Sequence, residues 1–126
     1  MAKKHQTEVK DKKVRAFEIT RKSEFGFEKV YKRYIHPEDT GGLWAYVRQL
    51  MDTERLAATV IQGQATILFK VTHNPKITKD LILEFGGRTY SIVSVDPFEF
   101  NKTDLVIRAT ETSPPTFDEV EYADEY

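Results

Sequence analysis

A Gly-Gly pair between two strand-like runs is the feature that most limits what this chain can fold into. Residues 80–85 read DLILEF and residues 88–95 read RTYSIVSV, with Gly86 and Gly87 between them. Two glycines allow positive φ at both central positions, as a type I′ hairpin turn requires. The sequence therefore predicts a two-residue β-hairpin here. The side chains expected to face the core from its two strands are Leu81, Leu83, Phe85, Tyr90 and Ile92.

Further runs on both sides of this hairpin also have strand character. In ATILFKVT (65–72) apolar residues alternate, which is typical of a half-buried strand, and Leu68 indicates that the second face is partly covered too. DLVIRAT (104–110) predicts a last strand with Leu105 and Ile107 inward, after a turn-rich connection over residues 96–104. Aromatic and β-branched residues favour strand in three earlier runs as well. These are VRAFEIT (14–20), FGFEKVYKRY (25–34) and LWAYVRQLM (43–51).

Together these runs predict an all-β, mainly antiparallel chain that closes as a small β-barrel or sandwich. At most one short helix is expected, over TERLAATVI (53–61). The length of 126 residues fits one domain. We expect that domain to span residues 14–112. A flexible basic N-terminus would precede it over residues 1–13, and an acidic C-terminal tail over residues 113–126 would be mobile unless a partner orders it.

The distribution of charge narrows the possible functions and leaves two interpretations of the termini. A net charge of −1 disfavours a dedicated nucleic-acid binder, which usually has a strong basic excess. Residues 1–15 are nevertheless mainly basic, and residues 111–126 carry six carboxylates and no basic residue. The two ends are either solvated tails or segments that dock on neighbouring subunits. No partner membrane is expected, because no apolar run approaches the roughly 20 residues of a span, and no secretory signal is expected either.

The sequence contains no arrangement typical of catalysis or metal binding. The absence of cysteine excludes disulfides and thiolate ligands. His5, His36 and His73 lack metal-ligand spacing and are expected to be ordinary surface residues. Glu38 and Asp39 are adjacent on a predicted loop, where no burial separates their pKa values for acid–base work. We therefore expect no enzymatic activity, no cofactor and no metal.

The single tryptophan lies in a run that alternates between two faces. In the strand predicted over residues 43–51, Trp44, Tyr46 and Arg48 share one face. Aromatic and arginine side chains are favoured at the centres of protein interfaces, so these three residues are candidates for a subunit or partner interface. Large aromatic residues also dominate protein cores. The sequence therefore leaves open whether Trp44 faces the core or a partner.

Aromatic and basic residues interleave over residues 25–34, which supports an alternative function. Small barrels can bind single strands through aromatic side chains on a basic face. The alternative is therefore a single-stranded nucleic-acid-binding small β-barrel protein. A strand with one apolar and one charged face gives much the same pattern, and the acidic tail would oppose binding. The residues that carry the pattern are Phe25, Phe27, Tyr31 and Tyr34 with Lys29, Lys32 and Arg33.

The order and spacing of these pieces resemble the head–tail joining family of tailed bacteriophages, also called head-completion, head-closure or stopper proteins. The resemblance covers about residues 35–110. Thr72-His73 stands where many members carry an arginine, and the stretch before Val14 has no counterpart. The matching pieces are Gly41-Gly42, Trp44-Ala45, Glu54, Phe69-Lys70-Val71, Ile77, Gly86-Gly87, Tyr90-Ser91-Ile92 and Leu105-Val106-Ile107.

The resemblance implies a structural protein of the virion neck that is made in the host cytoplasm and has no enzymatic activity. Such proteins form a ring, commonly twelvefold, beneath the portal and its adaptor. The ring retains the packaged double-stranded DNA by steric contact and offers a docking surface to a tail-terminator or tail protein. An acidic tail could let DNA slide without sticking, because phosphate neutralisation is what makes binding tight. The family's long loop between early strands, which can reach the channel, would here be Ile35, His36, Pro37, Glu38, Asp39, Thr40, Gly41 and Gly42.

Overall fold

A computed structural model of the chain describes residues 9–49, 66–98 and 101–124. Across those ranges the only helical element is a single 3-10 turn, Glu38–Thr40. The predicted all-β class is confirmed, while the helix expected over residues 53–61 lies outside the described residues. The eight strands are β1 (Lys12–Glu24), β2 (Phe27–Tyr34), β3 (Leu43–Gln49), β4 (Thr66–Thr72), β5 (Ile82–Phe85), β6 (Arg88–Phe98), β7 (Asn101–Thr112) and β8 (Glu119–Glu121).

Six of these strands close into a hydrogen-bonded ring. They follow the order β3-β4-β7-β6-β5-β1, and β1 pairs back with β3. All pairings around the ring are antiparallel, as predicted. Closing these six strands in this way removes the open strand edges from the ring itself, edges that would otherwise invite aggregation.

The Gly-Gly hairpin between β5 and β6 forms as predicted. Gly86 and Gly87 have φ of 62° and 80°, the left-handed values of a type I′ turn. Leu83 and Tyr90 lie opposite each other in the register, and both are buried. The turn residues therefore fix which face of this hairpin meets the core.

The core fills the interior of the ring with alternate side chains from the strands. Phe69 is fully buried in this core, with its ring edge-on to Phe85 and Tyr90 at centroid distances of 5.8 and 5.7 Å. The alternation predicted for β4 is confirmed, and Leu68 on the opposite face is also covered, because it packs with Val106. The most deeply buried members of the core cluster are Val14, Ala16, Ala45, Phe69, Val71, Leu83, Ile107 and Ala109.

β1 continues well beyond the ring. Its residues 12–17 pair with β3 or β5, whereas residues 17–24 pair with β2. β8 adds to the far side of β2 as a short parallel strand. We call the extension formed by residues 18–24 of β1 together with β2 and β8 the arm.

β2 and β3 pair along the same edge of β1. Phe17 has Tyr34 of β2 on one side and Ile82 of β5 on the other, so β5 occupies the opposite edge. Further toward the N-terminus of β1, Val14 pairs with Leu43 of β3. Residues 35–42 therefore form a loop between β2 and β3, which pair one after the other with the same edge of β1.

The connection over residues 96–104, predicted to be rich in turns, is mostly strand. β6 continues to Phe98 and β7 begins at Asn101. Pro97 pairs with Leu105 next to a shift in the register, an irregularity of the kind that accommodates proline within a sheet. The proline therefore marks a bulge and not the end of the strand.

The C-terminal segment, which the sequence predicted to be mobile from Ser113, is folded against the arm. The amide of Asp118 donates to the carbonyl of Val30 at 2.7 Å, and the Asp118 carboxylate accepts the amide of Val30 at 2.8 Å. Farther along, the amide of Ala123 donates to the carbonyl of His36 at 3.1 Å. No local pattern indicated this folding, because the partners of Asp118 and Glu121, Val30 and Lys22, lie 88 and 99 residues away in the sequence.

Candidate functional site

The outer face of β3 carries the three residues that the sequence singled out for an interface. Ala45 is fully buried, and Leu43 and Val47 pack against the core. Trp44, Tyr46 and Arg48 therefore lie on the other face of the strand. Trp44 is 56% exposed, which settles the open question: it is a surface residue.

Neighbouring side chains hold this face in place. Lys13, which lies opposite Trp44 in the β1–β3 register, has its Nζ 4.4 Å from the centroid of the Trp44 ring, within cation–π range. The same Nζ donates to the carbonyl of Thr40 at 2.7 Å, so the lysine is fixed from two sides. Tyr46 packs against a small second cluster on the outside of the ring. We call the resulting surface the outer patch. Its accessible residues are Trp44, Tyr46 and Arg48, and Leu68 and Val106, each only 8% exposed, form its buried base.

The candidate channel loop, residues 35–42, is attached to β1 at both ends. The amide of Ile35 donates to the carbonyl of Ala16 at 3.0 Å. At the other end Gly42 has φ of 124°, and a Cβ there would lie 2.5 Å from the carbonyl oxygen of Val14. Glu38 and Asp39 in the middle of the loop are exposed. The structure thus presents two carboxylates on a loop with anchored ends; its role in a channel remains a prediction.

His36 is buried, which corrects the expectation of a surface histidine. It has no exposed surface, and its ring centroid lies 5.0 Å from that of Tyr34 and 6.0 Å from that of Tyr122. Nδ1 lies 2.9 Å from the carbonyl oxygen of Pro37, so the neutral ring carries its proton there and donates it. Burial lowers the pKa of His36, and the charge of Arg15 lowers it further, against the opposing hydrogen bond.

The histidine is therefore neutral at neutral pH and belongs to the packing between the loop and the C-terminal segment. Tyr122, which packs against His36, is distant from it in the sequence, so no local pattern indicated that His36 is buried. Of the other two histidines, His73 is exposed, as predicted, and His5 lies outside the described residues.

A partly buried polar cluster, which the sequence analysis missed, joins the arm to the ring. Glu84 of β5 forms an ion pair with Lys32 and accepts the hydroxyl of Tyr34 at 2.6 Å. The side chains of Lys32 and Glu84 are only 12% and 23% exposed. Burial disfavours the charge of Lys32, but hydrogen bonds with Glu84 and Tyr34 outweigh it and raise the pKa of Lys32. Burial, reinforced by the Glu84 hydrogen bond, raises the pKa of Tyr34.

The aromatic and basic residues of segment 25–34 do not form one shared face. Tyr31 and Tyr34 are buried, whereas Phe25 and Phe27 are 98% and 76% exposed at the tip of the arm. Lys29 and Lys32 are held in ion pairs with Glu119 and Glu84. With two rings buried and two exposed, the segment does not form the continuous row of stacking rings that single-strand binding uses.

A groove of about 610 Å³ lies beside the Gly-Gly hairpin, and its charged lining has both signs. Its lining groups include Lys13, Arg15, Glu84, Arg88 and Glu111. Nowhere in the described ranges do three or more His, Asp or Glu side chains come together to hold a metal ion. Within the same ranges, no helix is long and apolar enough to cross a membrane.

The fold and these surfaces define a small β-protein with a closed ring of strands, an arm that extends from it and an outer patch with an exposed tryptophan. The chain belongs to the phage head completion protein family, whose model matches residues 7–112. The predicted family is thus confirmed, and the match also includes residues 7–13 of the stretch before Val14 that the resemblance left without a counterpart. The family is one of structural proteins and is not known as enzymatic. The chain accordingly has a structural role in the phage head, as a virion component associated with other head and tail proteins.

The fold also occurs in a solved structure of low sequence identity. The solution structure of protein SF1141 from Shigella flexneri 2a has a TM-score of 0.65 to this chain at 15% identity. The similarity covers 89% of this chain and 100% of that protein. No curated protein sequence matches the chain significantly.

Proposed function

We propose that the protein is a ring-forming component of the phage head–tail connector. Copies of the chain, twelve in the virion, would sit below the portal or its adaptor, retain the packaged DNA and present the surface to which a tail-terminator or tail protein attaches. The exposure of Trp44 on a strand that is paired on both sides, in a chain of the head completion family, is the observation that carries the proposal.

The outer patch has the properties of one side of a contact between subunits. A ring needs two different faces on each subunit, one meeting the other in a heterologous contact that closes. Tryptophan, tyrosine and arginine are the residues that most often dominate the binding energy of such contacts. The ring of Trp44 is already held by Lys13, so its association would cost little side-chain entropy.

Retention of DNA would depend on shape and not on charge neutralisation. Tight DNA binding needs cations that release counterions from phosphates. The exposed part of the candidate channel loop instead offers Glu38 and Asp39, and the ends of the loop are anchored on β1. A ring of such loops would narrow the channel and repel the phosphates, which blocks the duplex without holding it.

The test uses Trp44→Ala in the full-length chain, added to filled heads that lack this protein. Because Trp44 is already 56% exposed, the substitution should cost less than about 1 kcal/mol of stability. Fewer complete necks in electron micrographs and increased DNA release are expected. Val93→Ala is the matched control, since Val93 is 45% exposed but lies on β6, outside the outer patch. Necks as complete with Trp44→Ala as with the wild type would contradict this assignment of the interface.

A further inference from the structure

The outer edge of β2 is covered by a strand of only three residues. β8 runs parallel to β2, with Glu119 opposite Tyr31 and Glu121 opposite Arg33. Asp118, just before β8, binds the backbone of Val30 through both its amide and its carboxylate. The rest of the arm is antiparallel and much longer. The edge of β2 is thus a strand-binding site that the chain's own C-terminal segment fills with a short segment.

Charge complementarity holds that segment on the arm. Glu119 forms an ion pair with Lys29, and its hydrogen bond is the main cause of the raised pKa of Lys29. Glu121 lies 3.4 Å from the Nζ of Lys22. All four side chains are between 34% and 51% exposed, so water screens both pairs and each contributes little by itself.

Aromatic contacts add to these ion pairs at both ends of β8. The ring of Tyr122 stacks on Tyr34 at a centroid distance of 5.0 Å and an interplanar angle of 16°. Before the strand, Phe117 lies with its ring 5.0 Å from the Nζ of Lys32. The site therefore recognises an extended acidic segment with an aromatic residue on each side.

We infer that the edge of β2 is an acceptor site for the C-terminal segment of a second copy of this chain. The contacts are the same whether the segment comes from the same chain or from a neighbour, so exchange costs little beyond the path of the linker. Residues 113–117, which contain Pro114 and Pro115, join β7 in the ring to β8 on the arm without forming a strand. Such a proline-rich linker favours an extended path, which directs β8 away from β7.

This exchange of C-terminal segments adds detail to the proposed ring, and it rests on that proposal because the ring supplies the second copy. Neighbours in a ring are held at high local concentration, which favours pairing between subunits. Each copy would then bind the arm of the next through added strands, a recognised mode of association. The test below uses purified chains alone, so its failure is distinguishable from a failure of the Trp44 experiment on filled heads.

Two full-length variants with reversed charges are designed so that the C-terminal segment can bind the edge of β2 only between different chains. In the first, Lys22→Glu with Lys29→Glu makes the acceptor edge acidic like its own C-terminal segment. In the second, Glu119→Lys with Glu121→Lys makes the segment basic like its own acceptor edge. Each variant repels its own segment and that of an identical copy, whereas a mixture of the two offers two attractive pairings. A chain with all four substitutions restores attraction within itself and is the matched control.

Light scattering after size-exclusion chromatography measures the outcome, together with limited proteolysis of the C-terminal segment. Each variant alone is expected to be monomeric with a protease-sensitive segment. The equimolar mixture is expected to double in molar mass and to regain protection, and the fourfold variant to behave as the wild type. A mixture that stays monomeric, although each variant alone has a protease-sensitive segment, would overturn the proposal.

A second measurement detects exchange directly through an engineered disulfide. The chain has no cysteine, and Arg33 and Glu121 are partners in the parallel register. Arg33→Cys and Glu121→Cys in separate chains, one of them mass-tagged, should form more mixed disulfide than Arg33→Cys with Asp80→Cys, because Asp80 is an exposed residue of the segment before β5. Equal yields in both mixtures would contradict exchange even if the proteins fold normally.

Discussion

Gly42 is the residue at which the path of the backbone is most constrained. The chain returns to the edge of β1 at this point, after the excursion of residues 35–42, and comes into contact with the carbonyl group of Val14. Its φ of 124° is one that residues with a Cβ rarely adopt. Two independent costs therefore oppose any side chain here, one from the backbone conformation and one from the contact.

Gly42→Ala is expected to lower the free energy of unfolding by about 3 kcal/mol, as the sum of backbone strain and a backbone clash. Gly41→Ala is the matched control. Gly41 also has positive φ, at 75°, but no atom lies within 4 Å of its Cβ position, so about 1 kcal/mol is expected there. Urea unfolding of the two variants and the wild type measures the difference. Equal losses would show that the contact with Val14 does not constrain the loop.

Individual residues also show how far the sequence could predict the site. Alternation placed Phe69, Leu83 and Ile107 in the core correctly, because period 2 is a local property of a half-buried strand. The same alternation grouped Trp44 with Tyr46 and Arg48 but gave no sign of which face was outward. That depended on Ala45, which is buried against the closed ring. Which face of β3 points outward depends on how the strands pair across the sheet, and a single sequence does not reveal that pairing.

At the scale of elements, the arm depends on the polar cluster around Glu84. The partners come from β2 and β5, which both pair with β1 but on opposite edges, and they are about fifty residues apart. The sequence grouped Lys32 with the aromatic and basic residues of segment 25–34 and did not indicate Glu84, because no local pattern links the two. The cluster matters for stability because its ionised groups are mostly withdrawn from water and depend on each other.

Glu84→Gln is expected to destabilise the protein by about 2 kcal/mol, because it leaves the ammonium of Lys32 without its carboxylate. Glu111→Gln is the control, since Glu111 pairs with Arg88 in a setting where the side chains are 37% and 64% exposed. A loss of about 0.5 kcal/mol or less is expected there. Chemical denaturation at pH 7 compares them. Similar losses for both variants would mean that the cluster around Glu84 is no more than a surface contact.

The same cluster predicts that the stability of the protein falls at alkaline pH. The pKa values of Lys32 and Tyr34 are both raised on folding, from ordinary values of 10.5 and 10.0. Their contribution is therefore complete below about pH 10 and is lost as the pH rises through the folded-state pKa values. Denaturation midpoints measured from pH 8 to pH 11 should fall above pH 10, and less so in Glu84→Gln. An equal fall in both proteins would contradict the assignment.

At the scale of the whole molecule, described residues of both oppositely charged ends of the sequence form ion pairs within the fold. The sequence left two interpretations of those ends open, solvated tails or docking segments. In the structure, Lys10 forms an ion pair with Asp104, and Glu119 and Glu121 pair with lysines of the arm. The carboxylates near β8 are thus directed to the arm, so an acidic lining of a channel would depend mainly on the exposed residues of loop 35–42.

This internal pairing of charges predicts weak binding to nucleic acid. A connector component that blocks DNA by shape should bind short single-stranded oligonucleotides weakly, with a logarithmic salt slope no steeper than about −1. For a strand binder, the slope of log K against log[salt] becomes steeper by about 0.7 for each phosphate that it neutralises. Fluorescence anisotropy between 50 and 200 mM salt measures the slope.

Phe25→Ala with Phe27→Ala separates the two functions, because these are the exposed rings at the tip of the arm. Base stacking contributes about 1–3 kcal/mol per base, so a strand binder would lose at least a tenfold factor in affinity in this variant. For the connector component we expect no measurable change, since its few phosphate contacts would not involve the tip. A steep salt slope in the wild type, lost together with affinity in the double variant, would show that the arm binds single strands. The contact surface of the molecule would then lie at the tip of the arm and not on the outer patch around Trp44.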